Sequence, residues 1–261
     1  MRGGKASISK EQTMSETGSR MHTETVRLNA DGTELESYLA YDTQSDAPRP
    51  GVLLVHEWWG LNDYIRRRAH MLAELGFSAL ALDMYGGREV ADNPADAGRL
   101  MNNVLDDMRQ AETRMGAALE YLQNLESVDA ERIAAIGYCF GGAMVLHAAR
   151  TGMPLAGVVS FHGALGSAHK PAPGSVRAKI MVCHGADDVL VPETDVAALK
   201  DEMKAAGADL RFIAYPGALH GFTNPEADAN GKKYDLPLAY SEDTDRRSWQ
   251  EMRSFFKEIF A

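Results

Sequence analysis

A cysteine stands between two glycines in Gly137-Tyr138-Cys139-Phe140-Gly141, directly after the apolar run Ile133-Ala134-Ala135-Ile136 and before an Ala-rich helical stretch. A strand that becomes a helix within so few residues forces the central residue into a strained turn, and the flanking glycines let the two elements approach. The side chain on that turn is raised above the sheet. A helix N-terminus beneath it favours developing negative charge, so the Cys139 thiol is a candidate nucleophile on an elbow that usually carries serine. Cys183 ends another apolar run away from any such turn.

A nucleophile of this kind needs a base, and the base needs an acid to orient it; behind such an elbow the chain order is nucleophile, acid, base. The loop His184-Gly185-Ala186-Asp187-Asp188-Val189-Leu190-Val191-Pro192 offers two carboxylates. Aligned on the Gly and on the Val-Pro, Asp188 takes the orienting position and Asp187 reads as a turn or capping residue. Further on, Pro216-Gly217-Ala218-Leu219-His220-Gly221-Phe222 sets His220 in a Gly-flanked loop where an imidazole can reach Cys139. His56, His162 and His184 also follow apolar runs, either lining the site or serving as hydrogen-bonded structural histidines. No His-Glu-x-x-His or Cys-x-x-Cys pair occurs, so neither a metal nor a cofactor is expected.

The segment His56-Glu57-Trp58-Trp59-Gly60 follows Val52-Leu53-Leu54-Val55. A tetrahedral acyl intermediate needs two backbone N–H groups aimed at its oxygen, and Phe140 and Trp58 are assigned that task. Negative charge beside such donors opposes the reaction. Glu57 must therefore have another task or point away, the plainer alternative being a cap or a pair with Arg66 or Arg67.

Positioning these groups requires strands that end at one edge of a sheet. The short, near-continuous apolar runs at Val52–Val55, Ser78–Leu82, Ile133–Ile136, Gly157–Phe161 and Ile180–Cys183 read as buried parallel strands. Helical patterns alternate with them: Asn62 to Leu75, Asp96 to Glu126, Gly141 to Thr151 and Glu193 to Ala206. Thr23–Leu28 and Leu35–Ala40, joined at Ala30-Asp31-Gly32, read as an opening hairpin, after which Pro48 and Pro50 break the pattern. A last strand near Leu210–Tyr215 precedes a loop and a closing amphipathic helix from Glu242 to Phe260. The fold class is α/β, a mostly parallel central sheet with helices on both faces.

Residues 1–21, rich in Gly, Ser, Thr and charge, read as a disordered tail, and residues 22–261 as a single domain. With 27 Lys plus Arg against 37 Asp plus Glu, the formal charge of −10 argues against nucleic acid and anionic membranes and for a small-molecule partner. No stretch approaches the ~18 apolar residues of a membrane span. The two cysteines give no disulfide framework, and the expected location is cytoplasmic.

Cysteine at the elbow together with His56-Glu57 after the third strand resembles the dienelactone hydrolase family, which includes the carboxymethylenebutenolidases, over about Thr23 to Ala261. The resemblance implies the α/β-hydrolase fold and a Cys139, Asp188, His220 triad. It also implies that Glu57 holds the resting thiol and helps make the thiolate when substrate binds. Asp83-Met84-Tyr85-Gly86-Gly87-Arg88 matches the family's tyrosine and carboxylate-binding arginine with Tyr85 and Arg88. The family's second such arginine, four residues after the histidine, is replaced by Asn224. Losing that guanidinium removes a charge-assisted contact, so ester or lactone chemistry is the expectation rather than dienelactone itself. Trp58, Trp59 and Phe222 are expected to wall an aromatic pocket.

The expected reaction is thiolate attack on a lactone or ester, collapse to a thioester, and hydrolysis by water that His220 activates. A broad carboxylesterase or thioesterase on the same triad is the enzymatic alternative. From a different class, the thiol could be redox-responsive or the fold a ligand-binding module, which would have no need of an Asp and a His at the triad positions. The sequence leaves oligomeric state open.

Overall fold

The alternation of apolar runs with amphipathic stretches folds as one twisted sheet, of which the computed structural model describes residues 21–45 and 47–261. Its strands are β1 (Met21–Ala30), β2 (Thr33–Asp42), β3 (Arg49–Val55), β4 (Ser78–Leu82), β5 (Val128–Tyr138), β6 (Gly157–Phe161), β7 (Lys179–Gly185) and β8 (Leu210–Tyr215). The helices are α1 (Asp63–Glu74), α2 (Pro94–Leu105), α3 (Met108–Gln123), α4 (Phe140–Arg150), α5 (Glu193–Ala206), α6 (Ala227–Tyr234) and α7 (Glu242–Ile259). Strand order is β1-β2-β4-β3-β5-β6-β7-β8. β2 pairs antiparallel with both β1 and β4, and every later pair is parallel. This is the expected mostly parallel sheet of the α/β-hydrolase fold.

Side chains alternate across the pleat and so divide the core in two. Leu53, Val55, Leu80, Leu82, Val158 and Val182 face α2 to α5. Val52, Leu54, Ala79, Ile136, Val159 and Met181 face α1 and α7. Strands covered on both sides have no polar face, which is why they read as unbroken apolar runs.

Several boundaries depart from the sequence reading. Residues 1–20 of the expected tail lie outside the described residues, and Met21 opens β1 instead. Pro48 and Pro50 do not exclude a strand: β3 starts at Arg49, and its register with β5 shifts at Pro50/Gly51, where a residue without a donor is tolerated. The single helix expected from Asp96 to Glu126 is two, because Asp107 leaves helical geometry (φ −134, ψ 80) and caps α3 through Gln110 N. The stretch after β8 is not all loop. The short helix α6 forms there around Gly231, where any Cβ would lie 2.6 Å from the Leu238 carbonyl oxygen. No described helix is long and apolar enough to cross a membrane.

Candidate active site

The loops that follow β3 to β8 converge at the carboxyl edge of the sheet, where open α/β sheets bind ligands. Cys139 sits between β5 and α4 with φ 52 and ψ −115, a conformation costly for any residue with a side chain. Packing holds it there. A Cβ on Gly137 would lie 2.0 Å from the Gly141 carbonyl oxygen, and one on Gly141 would lie 2.2 Å from that of Val55. Both glycines are therefore required by close backbone approach. The Cys139 N–H donates to the Phe161 carbonyl at 3.0 Å, and the thiol remains partly accessible. Phe140 heads α4, whose first amides have no carbonyl of their own helix to bond.

His220 Nδ1 donates to Asp188 Oδ2 at 2.8 Å, and the ring faces the Cys139 sulfur. Because Nδ1 carries the proton toward Asp188, Nε2 is the nitrogen left to exchange one with the thiol. Burial alone would lower the His220 pKa, but the facing Cys139 sulfur and the bond to Asp188 carry it up to about 10. Asp188 is buried, and its second oxygen accepts from Leu190 N at 2.9 Å. Asp187 is exposed and accepts from Gly217 N at 3.3 Å, tying the β7 loop to the β8 turn as a turn residue would.

Glu57 is buried but bonds neither Arg66 nor Arg67. Arg66 pairs with Asp63 at 2.9 Å, and Arg67 lies over the Tyr64 ring. The Glu57 Oε2 accepts instead from Asn224 Nδ2 at 2.6 Å. Burial raises its pKa to about 7, opposed by the Asn224 bond and by the charges of His220 and Arg68. Asn224 is thus turned inward onto Glu57, and its Oδ1 accepts from Glu226 N at 2.9 Å, which leaves little of its amide for substrate.

Other expected contact residues divide. Tyr85 stacks on Phe140 with ring centres 5.8 Å apart, and its hydroxyl donates to the Trp58 carbonyl at 2.9 Å. Trp58 is partly exposed and packs on Trp59, which is buried against Tyr234. Phe222 is no pocket wall: it has no exposed surface and packs against His162 and Tyr215 within the core. Arg88 is over half exposed, with its guanidinium 3.5 Å from Glu36 on β2.

Beneath the His220 loop lies a polar network that the sequence reading missed. Thr223 Oγ1 is bonded to Tyr64 Oη at 2.6 Å and to His162 Nε2 at 2.7 Å. The Thr223 carbonyl accepts from Arg68 at 2.7 Å, and the same guanidinium nitrogen donates to Asp245 at 2.5 Å. Arg68 is almost wholly buried among the rings of Tyr64, Tyr138 and Trp249. Its only sequence signal is a basic residue at a position of α1 that faces inward, among Ile65, Ala69 and Leu72. Among the described residues no three His, Cys, Asp or Glu side chains gather as metal ligands would.

The chain is similar in sequence and in fold to known proteins. A dienelactone hydrolase-like promiscuous phosphotriesterase from metagenomic libraries has a solved structure that is 36% identical, covers 92% of this chain and 99% of its own, and superposes with a TM-score of 0.86. A second solved structure, m3DLH, is 37% identical, with coverage of 93% and 100% and a TM-score of 0.87. Protein usf of Aquifex pyrophilus is 27% identical over 238 residues, 89% of this chain and 97% of that protein. The family profile of the dienelactone hydrolases matches residues 35–260. This chain belongs to the dienelactone hydrolase family and is a hydrolase.

Proposed function

We propose that the protein hydrolyses carboxylic esters or lactones through a Cys139, His220, Asp188 triad and a thioester intermediate. The observation that carries this reading is the Asp188–His220 hydrogen bond, with the imidazole facing Cys139 on a strained elbow. The thiolate adds to the ester carbonyl, and the oxygen takes the electron pair beside the N–H groups of Trp58 and Phe140. Collapse expels the alkoxide or enolate, which takes the His220 proton, and leaves an acyl–sulfur bond. Water then gives its proton to His220 and attacks the thioester, releasing acid and thiol. Glu57, buried beside this centre, is the group proposed to help make the thiolate.

A thiol nucleophile must stay reduced, which fits a cytoplasmic location. The 36% identical phosphotriesterase supports a second substrate class, since a phosphoryl oxygen could use the same donors. The test is turnover of 4-nitrophenyl acetate, dihydrocoumarin and diethyl 4-nitrophenyl phosphate by the parent, Cys139→Ala and Cys183→Ala. The Cys139 variant should be inert on every substrate the parent turns over. The Cys183 variant, altered at a buried thiol beside Tyr215, should retain most activity. Turnover in Cys139→Ala would refute the mechanism.

A further inference from the structure

One buried side chain beside the oxyanion donors has no part in the triad. His56 follows β3 directly and has no exposed surface. Its Nδ1 lies 2.5 Å from the Glu57 carbonyl oxygen and its Nε2 lies 3.2 Å from the Met84 N–H, in the loop after β4. A carbonyl oxygen only accepts and a backbone N–H only donates. The ring is therefore the neutral tautomer with its proton on Nδ1, a state that burial reinforces by pushing its pKa down to about 4.

These bonds fix a peptide. The Glu57–Trp58 link is trans, so its N–H points opposite to its C=O, and that carbonyl is gripped by His56 Nδ1 and by Gly60 N at 3.2 Å. Holding the oxygen aims the Trp58 N–H. The next carbonyl, of Trp58, is held by the Tyr85 hydroxyl, so the peptides on both sides of Trp58 are pinned. On the other side of the site, the His56 carbonyl accepts from Gly141 N at 3.0 Å, one residue past Phe140. Ring and backbone of one residue thus reach both donor segments.

We propose that His56 is the positioning residue of the oxyanion hole, its ring orienting the Trp58 N–H while its carbonyl anchors the turn that presents the Phe140 N–H. The role rests on Cys139 being the nucleophile of acyl transfer, as proposed above. An oxyanion donor is worth about a hundredfold to a thousandfold in kcat, and misaiming one loses a large part of that.

Two nearly isosteric amides separate the ring's two bonds. In His56→Asn the amide N–H falls near the place of Nδ1 and can still grip the Glu57 carbonyl. In His56→Gln the amide reaches instead toward Met84, and that grip is lost. With 4-nitrophenyl acetate, His56→Gln should lose about tenfold to a hundredfold in kcat with KM within about twofold, whereas His56→Asn should lose severalfold at most. Alkylation of Cys139 by iodoacetamide should proceed at the parental rate in both, because displacement of iodide builds no oxyanion. Parental kcat in His56→Gln, equal losses in both variants that follow their Tm, or slowed alkylation would each overturn the role. Cys139→Ala is run alongside: turnover there removes the nucleophile itself, whereas an inert Cys139→Ala with parental His56→Gln removes only the role of His56.

Discussion

Replacing Glu57 by glutamine should stabilise the protein in alkali while slowing its chemistry. Burial raises the Glu57 pKa from its ordinary 4.5, and the Asn224 hydrogen bond and the charges of His220 and Arg68 hold the rise to about 7. A carboxyl whose folded pKa lies above its unfolded one contributes stability that is complete below the unfolded value and is lost as pH rises through the folded value. The window is pH 4.5 to about 7, and at about 1.4 kcal/mol per unit the loss across it is about 3 kcal/mol. Glutamine has no such titration, and its amide oxygen can still accept from Asn224. Glu57→Gln should therefore exceed the parent by about 3 kcal/mol at alkaline pH and by under about 1 kcal/mol near pH 5. Urea unfolding at both pH values measures this. In the same variant the burst of thioester formation should slow by about tenfold for each unit of thiol activation lost, with the later steady hydrolysis nearly unchanged. A stability difference that does not vary with pH would refute the charge argument, and an unaltered burst would make Glu57 a structural residue.

Asp188→Asn should lower kcat by about a thousandfold or more while Asp187→Asn stays within severalfold, since only Asp188 fixes the His220 tautomer; steady-state assays of both decide it, and the reverse ranking would show the wrong acid. Thr223→Val leaves Tyr64 Oη and His162 Nε2 without their shared partner and should cost about 3 kcal/mol by denaturant unfolding, a loss under about 1 kcal/mol counting against the network. Gly141→Ala drives a Cβ onto the Val55 carbonyl and should lower Tm by about 10 °C, read by calorimetry.

What the sequence made legible was local. Gly137 and Gly141 flank Cys139 at a spacing that only an abrupt strand-to-helix turn requires, and the strands from β3 to β7 were readable because burial on both faces leaves unbroken apolar runs. The break at Asp106 and Asp107 was lost inside a stretch whose apolar spacing continues on either side of it. α6 was hidden by its polar composition and by Gly231 within it. The network under His220 was illegible for another reason: Arg68 meets Thr223 and Asp245 across 155 and 177 residues of chain, so no window of sequence contains both partners. Phe222 shows the converse error. Its type suggests a pocket wall, but the packing of His162 and Tyr215 around it decides that it is core.

The Arg68 clamp also bears on when the protein first becomes competent. Arg68 belongs to α1, Asp245 to α7, and Thr223 lies three residues beyond His220 in the loop between β8 and α6. Contacts between such distant segments close late, and chains synthesised from the N-terminus acquire their last helix last. Before α7 docks, the guanidinium under the His220 loop lacks its carboxylate, and the surface of β6 and β7 that α7 covers is open. Seating of the base is therefore tied to the docking of α7, more than twenty residues along the chain from His220.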